Sequence, residues 1–205
     1  MSAYANTFGT TAGVEDQTAG DGGMYVAANV SGTGKITYVQ VDKTNIDKEK
    51  ADTKVTRIVG GSGHPYVTGM WLGDYWLFEA DSETSYPAGT IFSVNYITRV
   101  SKTGFKYWRV EYLDGENWKP AMPVTSATIE GTEVEYNLTM ANDGSTNVTV
   151  NPVMTLSAST KGLKVRMVAV SNVRAQNEAL IPTINGGTCR IAGAEGTSPV
   201  IKVIN

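Results

Sequence analysis

The chain holds one histidine, His64, and one cysteine, Cys189, so chemistry that runs on an imidazole or a thiolate has a single address for each. An imidazole is the usual general base near neutral pH. His64 stands in Gly60-Gly61-Ser62-Gly63-His64-Pro65, a stretch with too much backbone freedom for a regular element, and no Gly-x-Ser-x-Gly nucleophile motif accompanies it. It reads as a solvated or locally hydrogen-bonded loop histidine. Cys189 lies in Thr188-Cys189-Arg190-Ile191, which reads as a strand that needs a small buried apolar residue at that point. A lone cysteine also excludes an intramolecular disulfide framework and a cysteine-cluster zinc site.

Glycoside hydrolysis would need two carboxylates about 5 to 10 Å apart across a sugar. Asp74, Glu79, Asp81 and Glu83 are the residues that could supply such a pair. Acidic residues at loop ends serve more often as turn formers or cation ligands. Asp81-Ser82-Glu83 therefore leaves a calcium site open through oxygen ligands, without the ligand spacing of an EF-hand. No other cofactor is expected.

The aromatic residues say more. A sugar offers flat apolar C–H faces rimmed by hydroxyls, so its binding site combines an exposed ring with nearby amides, carboxylates or arginine. Trp71, Trp76, Tyr66, Tyr86 and Trp118 fall at strand ends or in loops, where such a platform can form. Phe92, Tyr96, Trp108 and Tyr112 sit instead on alternating apolar faces and read as core. The rings to test are Trp71, Tyr66, Tyr86 and Trp118, with His64, Asp74 and Arg99 as polar contacts. Arg109, Glu111 and Arg166 fall on an outward phase and can pair across strands, which supports the sheet and says nothing of a ligand. Asn29-Val30-Ser31, Asn137-Leu138-Thr139 and Asn147-Val148-Thr149 fit the glycosylation acceptor pattern and receive no function.

The elements that must position these residues are strands. Of the 205 residues, 41% are apolar and 18% charged, below the roughly 25% charge of an average domain, and 22 glycines and 7 prolines imply many turns. A chain of this length buries roughly 70% of the surface its unfolded form exposes, so one core suffices without disulfides or metal. With 17 Lys and Arg against 20 Asp and Glu, the formal charge is −3. No basic run is long enough to neutralise several phosphates together, so nucleic acid is not an expected partner. No apolar stretch approaches the roughly 20 residues of a membrane span, and Met1 to Gly13 lacks a basic-then-apolar signal pattern.

Residues 1–23 are glycine-rich and non-periodic and read as an N-terminal arm or loop. Met24 to Val30 and Lys35 to Val41 flank Ser31-Gly32-Thr33-Gly34 as a hairpin, and Asp42 to Lys54 supports at most one helical turn. Strands are predicted over Val55 to Val59, Trp71 to Glu79, Thr90 to Val100, Lys106 to Leu113, Val134 to Met140, Asn147 to Leu156, Leu163 to Val170 and Pro199 to Ile204. Asp114-Gly115 is a hairpin signal, with Trp118 on the return strand. About nine to eleven strands without intervening helices make residues 1–205 a single all-β, mainly antiparallel β-sandwich domain.

Gly73-Asp74-Tyr75-Trp76-Leu77-Phe78, Tyr86-Pro87-Ala88-Gly89-Thr90, Lys106 to Gly115 and Trp118-Lys119-Pro120-Ala121 resemble segments of secreted or surface β-sandwich proteins of Bacteroidales bacteria. The resemblance covers roughly residues 55 to 205. It implies a jelly-roll like those of galactose-binding and carbohydrate-binding modules. It also implies export, with a secreted, cell-surface or lipoprotein setting, and glycan binding or cell adhesion. The resulting expectation is a noncatalytic module that binds a carbohydrate or a cell-surface protein. A structural or adhesive subunit that recruits a protein at an unpaired sheet edge is the second reading. A glycoside hydrolase built on an acidic pair is the third.

Overall fold

The computed structural model describes residues 3–7, 16–17, 24–26, 28–29, 34–39, 54–56, 66–68, 70, 72–181, 187–192 and 199–204. Its elements are all strands: β1 (Ala3–Thr7), β2 (Asp16–Gln17), β3 (Met24–Val26), β4 (Ala28–Asn29), β5 (Gly34–Val39), β6 (Lys54–Thr56), β7 (Tyr66–Thr68), β8 (Tyr75–Tyr86), β9 (Ile91–Val100), β10 (Tyr107–Asp114), β11 (Asn117–Pro120), β12 (Thr125–Ile129), β13 (Thr132–Tyr136), β14 (Leu138–Thr139), β15 (Val148–Val150), β16 (Val153–Thr155), β17 (Thr160–Ala169), β18 (Thr188–Ala192) and β19 (Val200–Val203). Every pairing among them is antiparallel. Among the described residues no helix is long and apolar enough to cross a membrane.

One sheet runs β2-β6-β7-β18-β9-β19-β1-β4, with β15 and β16 also on β9; the other runs β11-β10-β17-β8-β5-β3, with β14 on β10. Strands β12 and β13 form a separate hairpin. The two large sheets face each other across one apolar layer. Phe78 of β8 stacks on Tyr96 of β9 with centroids 4.5 Å apart, and Phe92 of β9 meets Tyr112 of β10 edge-on at 6.0 Å. The chain is therefore an all-β antiparallel sandwich.

Period-two alternation builds that layer. Phe92, Val94 and Tyr96 are fully buried, as are Trp108 and Val110 of β10 and Val165 and Met167 of β17. Trp108 lies edge-on to Phe105 and donates its indole N–H to the Phe105 carbonyl at 2.9 Å. The opposite phase points outward, yet it is not all wet. Tyr107 and Glu111 are buried on the outer face, Tyr107 against Tyr136 at 4.6 Å and Glu111 beneath two guanidinium groups.

The differences from the sequence expectations have local causes. Within residues 1–23, read as an arm or loop, β1 pairs with β19 and β4, and β2 pairs with β6. The strand expected from Trp71 begins at Tyr75, after a turn at Leu72-Gly73 in which Gly73 has φ of 89°, and continues past Glu79 to Tyr86. The expected Asn147–Leu156 strand is split into β15 and β16 by Asn151-Pro152, because proline has no N–H for the ladder. Its carbonyl still accepts from Val94 N–H at 3.3 Å. Val134–Met140 is likewise split, at Asn137, whose side-chain amide accepts from Val110 N–H at 2.7 Å and donates to Val110 O at 2.9 Å. One side chain thus serves as a rung of the sheet.

In the β10–β11 hairpin Asp114 faces Asn117, so the loop residues are Gly115 and Glu116 and only Gly115 has positive φ, 64°. The turn sits one residue later than Asp-Gly suggests, with glycine first, as in type II′ geometry. Asp114 is thereby free to turn inward. It accepts from Ser157 N–H at 2.8 Å, Ala158 N–H at 2.8 Å, Ser157 Oγ at 2.6 Å and Lys119 Nζ at 2.5 Å, and is 2% exposed. The predicted helical turn in Asp42–Lys54 lies almost wholly outside the described residues.

Candidate functional site

The side chains that do not enter the core make two outer faces, one on each sheet. On the β10–β17–β8 face, Arg166 lies between two aromatic rings, its Cζ 4.3 Å from the Trp118 centroid and 5.5 Å from that of Tyr75. A guanidinium over an aromatic face is held by the ring quadrupole and by its own weak hydration. Arg166 Nε and Nη2 both reach Glu111 Oε2 at 2.6 Å. Glu111 Oε1 lies 3.6 Å from Arg109 Nη1, Arg109 pairs in turn with Glu135, and Lys164 meets Glu79 at 3.1 Å. The face is an aromatic strip of two half-buried rings around a neutralised Arg–Glu network.

On the β9–β18–β7 face the register places Tyr66 opposite Arg190 and Arg190 opposite Arg99. All three side chains are half-buried. Arg99 Nη1 donates to the Ser145 carbonyl at 3.1 Å, and Arg190 Nη2 to Asn147 Oδ1 at 3.1 Å. Both acceptors are neutral. Burial, and then the Arg99 charge beside it, lowers the Arg190 pKa from its ordinary value.

The residues expected to form one site are therefore dispersed. Tyr66 and Arg99 share the face just described, whereas Trp118 is on the opposite sheet. Tyr86 ends β8, half-buried, its carbonyl accepting from Ser159 Oγ at 3.2 Å. Asp74 is interior, 0% exposed, and accepts from Tyr38 O–H at 2.5 Å. Burial, then the Asp74 charge, pushes the Tyr38 hydroxyl well above the ordinary tyrosine pKa. Trp71 and His64 lie outside the described residues. Tyr75 and Arg190 were missed in the sequence: Tyr75 stands at the strand start that alternation misplaced, and Arg190 needs the register to find its neighbour.

The same alternation bears on the acidic cluster. Asp74 turns inward with Trp76 and Phe78, while Glu79 stands on the outer face against Lys164, so these two cannot flank one sugar. Glu83 is exposed and pairs with Lys161 at 3.3 Å. Among the described residues no three His, Cys, Asp or Glu side chains converge as metal ligands.

Cys189 is fully buried on β18. Burial pushes its thiol pKa up to about 12, against smaller opposing hydrogen bonds from Thr98 and Trp76. Thiolate is the reactive form, so a disulfide reagent such as DTNB at pH 8 should leave the native protein unmodified and titrate one thiol only in denaturant. Rapid labelling of the folded chain would contradict this placement.

No family model matches the chain, and no curated protein does. Among solved structures it is similar to the CBM22-1 xylan-binding domain of Paenibacillus barcinonensis Xyn10C, with 9% identity and a TM-score of 0.36 over 99% of this chain and 93% of that one. It is similar also to CBM35 from Cellvibrio japonicus Abf62, with 13% identity and a TM-score of 0.30 over 94% of this chain and 99% of that one. A third is the enzymatically active domain of bacteriophage CBA120 tailspike protein 4, with 10% identity and a TM-score of 0.35 over 97% of this chain; this chain spans 20% of that one.

Proposed function

We propose that the chain is a noncatalytic binding module that takes up a glycan on the outer face of the second sheet. The observation that carries the reading is the Trp118–Arg166–Tyr75 stack, which sets two partly exposed rings on either side of one guanidinium on the sheet. Rings held this way present apolar surface to a sugar's C–H face at little entropic cost, since Arg166 already fixes their spacing. Arg109 and Lys164, half-buried beside the strip and held by Glu111 and Glu79 beneath them, supply donors for hydroxyls. A secreted or cell-surface setting, which the sequence resemblance implies, suits such a ligand.

Strand addition to a protein partner is less well served. Among the described residues, the strands at the ends of the two sheets (β2, β4, β11 and β3) and those off the main path (β14, β15 and β16) have four residues or fewer, and β11 ends in Pro120. Short, proline-terminated edges are poor templates for pairing.

Calorimetric titration with a panel of neutral oligosaccharides should reveal saturable binding to at least one. Trp118→Ala should weaken it about tenfold, roughly 1.4 kcal/mol, without moving the melting temperature appreciably. Absence of binding across xylo-, manno-, gluco- and galacto-oligosaccharides, or an unaltered affinity in the Trp118 variant, would overturn the proposal.

A further inference from the structure

We propose that the outer face of the first sheet carries a second site, for the carboxylate or sulfate of an acidic sugar, gripped by Arg99 and Arg190 with Tyr66 alongside. The starting point is a pairing that a sheet ordinarily avoids. Arg99 and Arg190 are direct register partners on adjacent antiparallel strands, so their backbones are about 5 Å apart and two like charges stand side by side. Among the described residues neither meets a carboxylate; their acceptors are the Ser145 carbonyl and the Asn147 amide oxygen. The contrast with the other face is direct, because there Arg109 and Arg166 are neutralised by Glu111 and Glu135. Arg190 Nε is buried without a hydrogen-bond partner, as is Arg109 Nε on the other face, so it is the missing carboxylate that separates the two faces.

An oxyanion placed between the two guanidinium groups supplies what the pair lacks: negative charge, and two oxygens that match their planar forks. The rest of the row points to a sugar as the carrier. Tyr66 extends it on one side as a half-buried ring, while Asn95 and Thr149, exposed on the same face, offer an amide and a hydroxyl. A nucleic acid is disfavoured, since two arginines on a chain of formal charge −3 cannot track several phosphates. This site lies on the opposite sheet from the Trp118 strip and does not depend on it.

The test uses the full chain titrated with tri-galacturonate, a sulfated galactose trisaccharide and neutral galactotriose. At least one acidic sugar should bind at least tenfold more tightly than the neutral one, and the tighter arm identifies the anion. Arg190→Gln and Arg99→Gln should each abolish that preference, Arg190→Lys should recover only part of it because charge returns without the fork, and Trp118→Ala should leave it intact. Without ligand, the glutamine variants should melt at or above the wild-type temperature, because a like-charge pair has been relieved, which separates lost binding from lost folding. Equal binding of acidic and neutral sugars, no binding of either acidic arm, an unaffected Arg190→Gln variant, or equally tight capture of oligo-thymidylate would overturn the site.

Discussion

Replacing Trp108 with alanine should lower the free energy of unfolding by about 4 kcal/mol, measured as a shifted denaturant midpoint at unchanged slope. The side chain is 0% exposed, packs edge-on to Phe105 and donates to its carbonyl, so the variant loses apolar burial, opens a cavity and leaves a buried acceptor without its donor. Domains are stable by about 5 to 15 kcal/mol, so this single change removes a large share of the total. Trp108→Phe keeps most of the ring and forfeits the hydrogen bond, and should cost about half as much. A cost below about 1 kcal/mol for the alanine variant would mean that Trp108 is not at the centre of the layer.

Asp114 gives the second large effect. Asp114→Ala removes the acceptor of two backbone N–H groups and of the Ser157 hydroxyl and breaks the ion pair with Lys119, and should cost about 3 kcal/mol near pH 7. Its pH dependence is distinctive. Burial alone would raise the carboxyl pKa, but Lys119, Ser157 and the two N–H donors outweigh it and hold the group well below the carboxylate range. A group depressed in the folded state contributes stability above its unfolded value of about 3.9, and loses it as pH falls through the folded value. The difference in stability between wild type and Asp114→Ala should therefore be constant from pH 8 to 5 and shrink steadily below about 4. A difference that persists undiminished to pH 2 would show that the carboxylate's charge is not what holds the hairpin to Ser157 and Ala158. Asp143, held down chiefly by the Thr146 hydroxyl and the Thr146 and Ser145 N–H groups, titrates in the same acid window, which is why the comparison is made between variants.

Much of this architecture was legible as period-two alternation. Phe92, Val94, Tyr96 and the Leu163–Val165–Met167 set carry their burial in their spacing, because a half-buried strand admits one apolar phase. What alternation could not show was how strands meet. Asp74 reads as a loop acid by composition, whereas in the fold it is fully buried and accepts from the Tyr38 hydroxyl brought to it from β5. Asn137 reads as an interior strand position or a glycosylation acceptor, yet its amide is committed to the Val110 backbone. Trp118 was legible as a ring on a return strand, but its partner Arg166 comes from 48 positions further along the chain. Arg99 and Tyr66 likewise meet through Arg190, which only register brings between them.

The position of β9 has a consequence for biosynthesis. This strand takes partners from β18 and β19, roughly a hundred residues downstream of it, and from β15 and β16 nearer by. Contacts so distant in sequence impose a high contact order and slow closure. A ribosome must therefore deliver the chain through Val203 before this sheet can complete itself, and until then the nascent protein presents unpaired strand edges that a chaperone would have to shield.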